Sequence, residues 1–308
     1  MNDRKQQSST DTLAAPRETA RLLAPLHLMG PANALTAAAD ALGGITVAWG
    51  LAPQGITAGF WLLPLAAFLV YAGGEALRDV CDANGKEGNR PASPIPLGQI
   101  SLPAALALSA ALLVAGVFCA GLYSVEAGFL AAGLTYLIAF HHGRGQPLTL
   151  FSPLLTGFCR AGSLLLGMAA SVDAIAVGWP LASIPVGYMF AVTVVSRGGG
   201  DGRNPQGVAA LGMLVLVGIA YGFLAIMREQ WPALVFVALF AALAWPVLVR
   251  AAEEPTDDAM RDAAKAGVLN LVVCNATLAA TFAGPLSGLA ILLLLPVSRR
   301  LARVFPVA

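Results

Sequence analysis

The residues best suited to chemistry follow a long apolar run, in the segment 71–101. Four charged side chains there would fall within about 100° of helix surface if the segment is helical: Glu75, Arg78, Asp79 and Asp82. Asp79 and Asp82 are one helical turn apart, so both carboxylates could bind one Mg²⁺, which prefers oxygen ligands and shares substrate phosphates. The alternative is a set of local ion pairs, Glu75 with Arg78 and Arg78 with Asp82, at the end of the helix.

A second polar region is the segment 196–204, which reads SRGGGDGRN. Three successive glycines beside Asp201 and Arg203 would let backbone amides approach an anion. The alternative is a flexible turn between two membrane spans. The chain contains no P-loop and no dinucleotide-binding fingerprint.

A third polar feature is Arg160, which lies inside an apolar stretch. A membrane-embedded Arg normally faces a bundle interior or a cavity and has a partner. Asp40 is the obvious intramembrane acid, and Asn33 precedes it by about two helical turns. The pattern predicts either a structural Arg–Asp pair or a ligand cavity.

Composition determines the environment in which these residues act. The chain has 308 residues, of which 57% are hydrophobic and 11% are charged. Since soluble domains are about 25% charged, this composition predicts a polytopic membrane protein. A net charge of +1 gives no indication of a nucleic-acid partner.

Stretches of about 20 apolar residues can cross a bilayer, and within lipid they must be helices. We predict spans near 31–51, 56–77, 100–122, 125–141, 149–171, 175–196, 206–227, 231–250 and 264–284, and a shorter apolar run at 286–298. Residues 1–21 are predicted to be a disordered cytoplasmic tail, and residues 22–304 a single transmembrane domain.

Lys and Arg set the orientation, because they concentrate in cytoplasmic loops. They occur in the N-terminal tail and after the second, fourth, sixth and eighth spans, whereas the opposite side has Arg228. We therefore expect a multi-pass protein of the cell (inner) membrane with a cytoplasmic N-terminus. A tenth short span or a re-entrant hairpin at 286–298 would return Arg299, Arg300 and Arg303 to the cytoplasm.

The segments described above, in this order, resemble the UbiA superfamily of intramembrane prenyltransferases, over about residues 22–304. The family's first Asp-rich motif, N-D-x-x-D-x-x-x-D, corresponds to R-D-V-C-D-A-N-G-K here. Asp79 and Asp82 match, whereas Arg78 replaces the Asn and Lys86 replaces the last Asp. The Pro-rich element that follows in the family is intact at Arg90, Pro91, Pro94, Pro96, Gly98 and Ser101.

Four further segments are most similar to the EboC-like branch of that superfamily: 31–44, 154–169, 187–197 and 263–276. The chain departs from the family at the second Asp-rich motif. Ser196 stands where an aspartate is frequent, and Asp201 is the acid that remains there. Branch members tend to have an acid at the position of Asn275.

The resemblance implies an all-α bundle of nine or ten transmembrane helices around a cavity that opens to lipid. It also implies Mg²⁺ as cofactor, a prenyl diphosphate as donor and a lipophilic or aromatic acceptor. Mg²⁺ would help the diphosphate leave, and the allylic cation would alkylate the acceptor.

The resemblance assigns Asp79 and Asp82 as catalytic metal ligands and Asp201 as a further metal ligand. Arg78, Arg90, Arg197 and Arg203 are the residues expected at the diphosphate, and Arg160 and Asn33 those expected on the acceptor side.

Two other functions are open. A catalytically degenerate UbiA-fold protein could bind or help transport an isoprenoid or a secondary metabolite, which would account for the missing acids. An unrelated secondary transporter is disfavoured, because such folds often contain internal repeats and the sequence has no visible repeat.

Overall fold

The computed structural model describes residues 23–54, 56–84, 93–143, 151–197 and 205–305. Within these ranges the ordered elements are helices and no strand occurs, which confirms the predicted all-α class. The helices are α1 (Pro31–Leu51), α2 (Leu62–Asn84), α3 (Leu102–Tyr123), α4 (Val125–Gly143), α5 (Phe151–Met168), α6 (Val172–Gly178), α7 (Ser183–Ser196), α8 (Pro205–Met227), α9 (Ala233–Glu253), α10 (Asp257–Ala283), α11 (Pro285–Leu292) and α12 (Leu294–Val304).

Two of the predicted spans are interrupted helices. The span predicted at 175–196 consists of α6 and α7, joined by the 3-10 turn Trp179–Ala182. Pro180 lies inside this turn and has no backbone N–H to donate to an α-helical hydrogen bond. The apolar run predicted at 286–298 consists of α11 and α12, which follow Gly284 in a left-handed conformation with φ +87°.

Among the described residues, eight helical stretches are long and apolar enough to cross a membrane. One of these is Pro285–Val304, which includes the predicted tenth span. The predicted spans at 125–141 and 149–171 form as α4 and α5, which are outside this set of eight. The chain is therefore an integral, multi-pass membrane protein, and the number of crossings stays a prediction.

Helix α1 is central, because it packs against α2, α5 and α10. Its contact with α5 requires glycine on both sides. A Cβ atom at Gly44 would overlap the carbonyl oxygen of Leu164, and one at Gly167 would overlap that of Ala41. Small residues at such crossings let two membrane helices approach to backbone contact.

The second half of the bundle is formed by α7, α8, α9 and α10, and three aromatic rings fill its centre. The Tyr188 and Tyr221 rings both meet Phe240 edge-on, at centroid distances of 5.6 and 5.7 Å. Tyr188 Oη donates a 2.8 Å hydrogen bond to the carbonyl oxygen of Gly267, which joins α7 to α10.

The end of the chain returns to the side of the bundle where α1 begins. The ring of Phe305, just after α12, lies 4.8 Å from the ring of His27, just before α1. Arg299, Arg300 and Arg303 precede Phe305 on α12 and therefore lie towards this same side.

Candidate functional site

A polar pocket of about 180 Å³ lies between α1, α2, α4, α5, α7 and α10. It sits towards the start of α1, α5 and α10 and the end of α2, α4 and α7, so helix ends predicted to share one face of the membrane meet here. Its polar lining residues are Asn33, Tyr71, Glu75, Arg78, His141, His142, Thr156, Arg160, Thr193, Ser196 and Arg197.

One face of helix α2 forms a wall of the polar pocket. Tyr71, Glu75 and Arg78 are four and three residues apart and therefore share one helix face. The chain can pass close to this face because Gly30 adopts a left-handed φ of +50°. A Cβ atom at Gly30 would lie 2.9 Å from Cγ of Glu75.

The floor of the pocket is Arg160 of α5, which is 2% exposed. Its NH1 group donates a 3.1 Å hydrogen bond to Oδ2 of Asp40, and its NH2 group donates to Oδ1 of Asn33. Asn275 of α10 donates to Oδ1 of Asp40 at 2.6 Å. The guanidinium also lies over the ring of Tyr71, 4.5 Å from its centroid, where a cation is favoured.

Glu75 extends this network across the pocket. It accepts a hydrogen bond from Asn33 Nδ2 and forms an ion pair with Arg78, three residues along the same helix. The network therefore runs through α10, α1, α5 and α2. Two atoms next to it, Arg78 Nε and Tyr71 Oη, are buried and make no hydrogen bond to the described residues.

Arg197 lies at the end of α7, where its NH2 group donates a 2.9 Å hydrogen bond to Oγ of Ser152. Burial lowers the pKa of this guanidinium below its ordinary value. An arginine nevertheless remains charged at neutral pH. The pocket is therefore lined by three cations, Arg78, Arg160 and Arg197, against one acid, Glu75, among the described residues.

Asp79 and Asp82 occupy the last turns of α2 and are both partly buried. Oδ2 of Asp79 accepts a 3.0 Å hydrogen bond from Oγ of Ser93. Neither aspartate lines the polar pocket. No group of three or more His, Cys, Asp or Glu side chains suited to a metal occurs in the described part of the chain.

The structure brings four predicted site residues together: Asn33, Arg78, Arg160 and Arg197 all line the polar pocket. Three others, Arg90, Asp201 and Arg203, lie outside the described residues. Of the two interpretations of the α2 charges, the local pair of Glu75 with Arg78 forms.

The sequence did not single out Tyr71 or Thr156 for the pocket, nor the adjacent pair His141 and His142. Tyr71 could have been found, because it lies four residues before Glu75 on the same helix face. The two histidines lie in the last turn of α4, just before Gly143. They line the pocket because the pocket lies at the end of that helix.

A larger apolar groove is lined by α4, α5 and α7, three of the helices that also line the polar pocket. Its volume is about 1010 Å³, and α8 supplies its other wall. On α5 the two cavities use different faces, because Phe158 lines the groove and Cys159 lines the pocket, and successive residues of a helix point about 100° apart. The large side chains lining the groove are Leu137, Leu154, Phe158, Leu165, Trp179, Ile184, Val186, Phe190, Met213, Leu216 and Val217.

The combination suits an amphiphile with an anionic head and a hydrocarbon tail. Guanidinium groups bind phosphate oxygens through charge-assisted hydrogen bonds. The apolar groove offers a hydrocarbon chain a surface with few polar atoms. The polar pocket therefore suits an anionic head group, and the groove suits a hydrocarbon chain.

Curated proteins named digeranylgeranylglyceryl phosphate synthase are similar to this chain. That of Methanothrix thermoacetophila is 33% identical over 49% of this chain and 56% of its own length. That of Methanoculleus marisnigri is 30% identical over 62% and 66%, and that of Methanopyrus kandleri 28% identical over 73% and 82%. The chain thus spans 56% and 66% of the lengths of the first two relatives.

A solved structure described as giving insight into digeranylgeranylglyceryl phosphate synthase in membranes has the same fold. It superposes with a TM-score of 0.60 at 20% identity and covers 86% of this chain and 98% of its own. No protein-family model matches the chain.

Proposed function

Because the chain belongs to the UbiA superfamily of prenyltransferases, we propose that it transfers an isoprenyl group from a prenyl diphosphate to an acceptor within the membrane. The observation that carries the proposal is the presence of both a polar pocket lined by three arginines and an apolar groove in a multi-pass helical bundle. A prenyl diphosphate has an anionic head and a hydrocarbon tail that match these two cavities.

The residues at the end of α2 fit the Mg²⁺ that this family implies. Asp79 and Asp82 are one turn apart, and their carboxylates are the oxygen ligands that Mg²⁺ prefers. Two carboxylates suffice, because Mg²⁺ is usually completed by water and substrate phosphates. When bound, the ion would neutralise charge on the diphosphate leaving group. We propose Asp79 and Asp82 as its ligands, with Asp201 as a further one.

The protein's own groups then have separate tasks in the transfer. The bond between C1 of the prenyl group and the diphosphate oxygen breaks, and the diphosphate leaves with the electron pair. C1 bonds to the acceptor, and the proton that the acceptor loses passes to the departing diphosphate or to water. The arginines at the head group stabilise the departing anion. The apolar walls of the groove keep water from the allylic carbon, which would otherwise be hydrolysed.

The acceptor is proposed to be a lipid or another lipophilic molecule. The relatives are named for a glyceryl phosphate that bears two geranylgeranyl chains. Geranylgeranyl diphosphate and geranylgeranylglyceryl phosphate are therefore the first donor and acceptor to test with this chain.

A second function is favoured by the charges of the polar pocket. Its one acid among the described lining residues, Glu75, is already paired with Arg78. Arginines can bind a prenyl phosphate without chemistry, so a catalytically degenerate protein that binds or helps transport an isoprenoid would use the same pocket.

We propose that the protein lies in the inner membrane with its N-terminus and the polar pocket on the cytoplasmic side. This orientation follows from the distribution of Lys and Arg in the sequence. It is supported by the contact of Phe305 with His27, because Arg299, Arg300 and Arg303 then lie towards that same side.

The test is incubation of the purified, nanodisc-embedded protein with a panel of radiolabelled isoprenyl diphosphates. Each is combined with geranylgeranylglyceryl phosphate or with extracted membrane lipid, with and without Mg²⁺. Transfer of label to a lipid in Mg²⁺ supports the enzyme. Tight binding of the donors without transfer would contradict the prenyltransferase function and support the function of an isoprenoid-binding protein.

A further inference from the structure

We propose that α12 binds anionic phospholipid of the surrounding bilayer through its three arginines, Arg299, Arg300 and Arg303. These arginines, the basic face of α12, pair with lipid phosphates, and the exposed apolar side chains beside them contact the acyl chains. The inference goes beyond prenyl transfer and does not depend on it, because no residue of α12 lines the polar pocket or the apolar groove.

Helix α12 has three faces, which its pattern of burial distinguishes. Leu295 and Ser298 are buried and lie about 60° apart on the helix surface. The basic face covers roughly the next 100°, and all three of its arginines are exposed. Val297 and Val304 are also exposed and lie beyond the arginines. One face therefore packs on the protein, and the other two present cations and apolar groups side by side, which suits the head group and the acyl chains of a lipid.

The arginines of the basic face are close enough to repel one another. Arg303 is four residues from Arg299 and three from Arg300, and like charges at these helical spacings are destabilising. The helix dipole favours a cation only within the last turn, which accounts for Arg303 but not for the other two. A phosphate bound between the guanidinium groups would replace this repulsion by charge-assisted hydrogen bonds.

The described part of the protein supplies no counter-charge to the basic face. None of its arginines forms a side-chain hydrogen bond or ion pair with another described residue. No Asp or Glu follows Asp262 in the sequence. Helix α1, against which α12 packs, has one acid, Asp40, which is buried and paired with Arg160. A compensating anion would therefore come from the membrane or from solution.

The position of the basic face favours a membrane lipid over a soluble anion. The basic face lies at the end of the stretch Pro285–Val304, which is long and apolar enough to cross a membrane. Arginines at such an end extend their charged groups to the lipid head groups, and anionic head groups attract them. The contact of Phe305 with His27 brings a second apolar segment to this end, in which Leu23 and Leu26 are exposed.

The experiment is native mass spectrometry of the full chain, purified in a neutral detergent and given equal amounts of dioleoyl phosphatidylglycerol and dioleoyl phosphatidylcholine. These two lipids have the same acyl chains and differ in head-group charge. The wild type should retain phosphatidylglycerol preferentially. Arg299→Gln/Arg300→Gln/Arg303→Gln should lower this preference at least about tenfold, because each basic residue near an anionic surface contributes roughly fivefold to the affinity.

The matched control is Arg250→Gln/Arg261→Gln/Lys265→Gln. It removes the same number of exposed cations from the end of α9 and the start of α10. Five acids lie between residues 253 and 262 in that region, so its cations already have negative charge nearby. The control variant should keep the wild-type preference for phosphatidylglycerol.

Ionic strength provides a second measurement, which needs no variant. Raising the ammonium acetate concentration from about 0.1 to about 1 M shortens the screening length from about 10 to about 3 Å. The preference of the wild type for phosphatidylglycerol should therefore fall, because it depends on exposed charges.

Equal retention of the two lipids by the wild type would overturn the proposal. So would a preference that persists in Arg299→Gln/Arg300→Gln/Arg303→Gln or in about 1 M salt. An equal loss of preference in the control variant would also overturn it, because any exposed cation would then serve as well as the basic face.

Discussion

The pair of Asp40 and Arg160 allows the sharpest prediction about what holds the bundle together. Both residues are 2% exposed, and a 3.1 Å ion pair joins their side chains. Asp40→Asn keeps the shape of the side chain but leaves one acceptor oxygen, whereas the two oxygens of Asp40 accept from Arg160 and Asn275. The substitution also removes the charge that compensates Arg160.

The expected loss of stability is about 3 kcal/mol, at the lower end of the about 3–5 kcal/mol for breaking a buried pair by removing one partner. The lower end applies because Arg160 retains Asn33 and the ring of Tyr71. A single hydrogen bond between membrane helices is worth about 0.6 kcal/mol on average. A loss of about 3 kcal/mol would therefore indicate an uncompensated buried charge, whereas a loss of about 0.6 kcal/mol would indicate only a lost hydrogen bond.

The double variant Asp40→Asn/Arg160→Gln removes both charges and should recover most of this loss, because two neutral amides need no compensation. The measurement is reversible unfolding in bicelles with increasing denaturant. Asp262→Asn is the matched control, since it is the same chemical change at an exposed site of α10, and surface changes usually stay within about 0.5 kcal/mol.

Two results would contradict the proposed coupling between Asp40 and Arg160. One is a loss below about 1 kcal/mol for Asp40→Asn, which would mean that the buried charge is hydrated or compensated elsewhere. The other is a double variant whose loss equals the sum of the two single losses, because additive effects exclude coupling between the two side chains.

Further predictions concern the proposed metal ligands, the helix crossing and the groove. Asp79→Asn/Asp82→Asn should reduce lipid labelling from a prenyl diphosphate at least about 100-fold with folding intact, since Lewis-acid assistance is lost; near wild-type labelling would exclude these ligands. Gly167→Leu should prevent stable folding, because its Cβ would overlap the Ala41 carbonyl oxygen, and a wild-type chromatographic profile and melting temperature would contradict the crossing. Gly187→Leu should place bulk in the apolar groove, where its Cβ meets Met213 Sδ at 3.2 Å, so the preferred donor in a chain-length panel should become shorter; an unchanged preference would place the tail elsewhere.

The membrane helices could be predicted from sequence because apolar length alone determines them. The predicted span at 31–51 has the bounds of α1, and the predicted span at 206–227 differs from α8 by one residue at its start. The break between α6 and α7 was not predicted, because the segment is apolar throughout. Its signal was Pro180, which ends the α-helical hydrogen bonds without lowering hydrophobicity.

The site was predicted less completely, because its contacts join distant residues. The sequence paired Arg160 with Asp40 as one interpretation, since a membrane-embedded Arg needs an acid and few are available. The hydrogen bond from Asn275 to Asp40 could not be predicted from sequence. The two residues are 235 positions apart, and their contact depends on how α10 packs against α1. The local pair of Glu75 with Arg78 was foreseen because helical spacing alone brings the two together.

The most direct test of prenyl transfer is a single-turnover experiment with geranylgeranyl diphosphate labelled at C1, protein in excess, and Mg²⁺. If the protein transfers the prenyl group, one pyrophosphate is released for each labelled C1 that becomes covalently attached to an extractable lipid, and Asp79→Asn/Asp82→Asn forms no such product. Bound donor that is recovered intact, with neither pyrophosphate nor labelled lipid formed with any lipid extract, would contradict it.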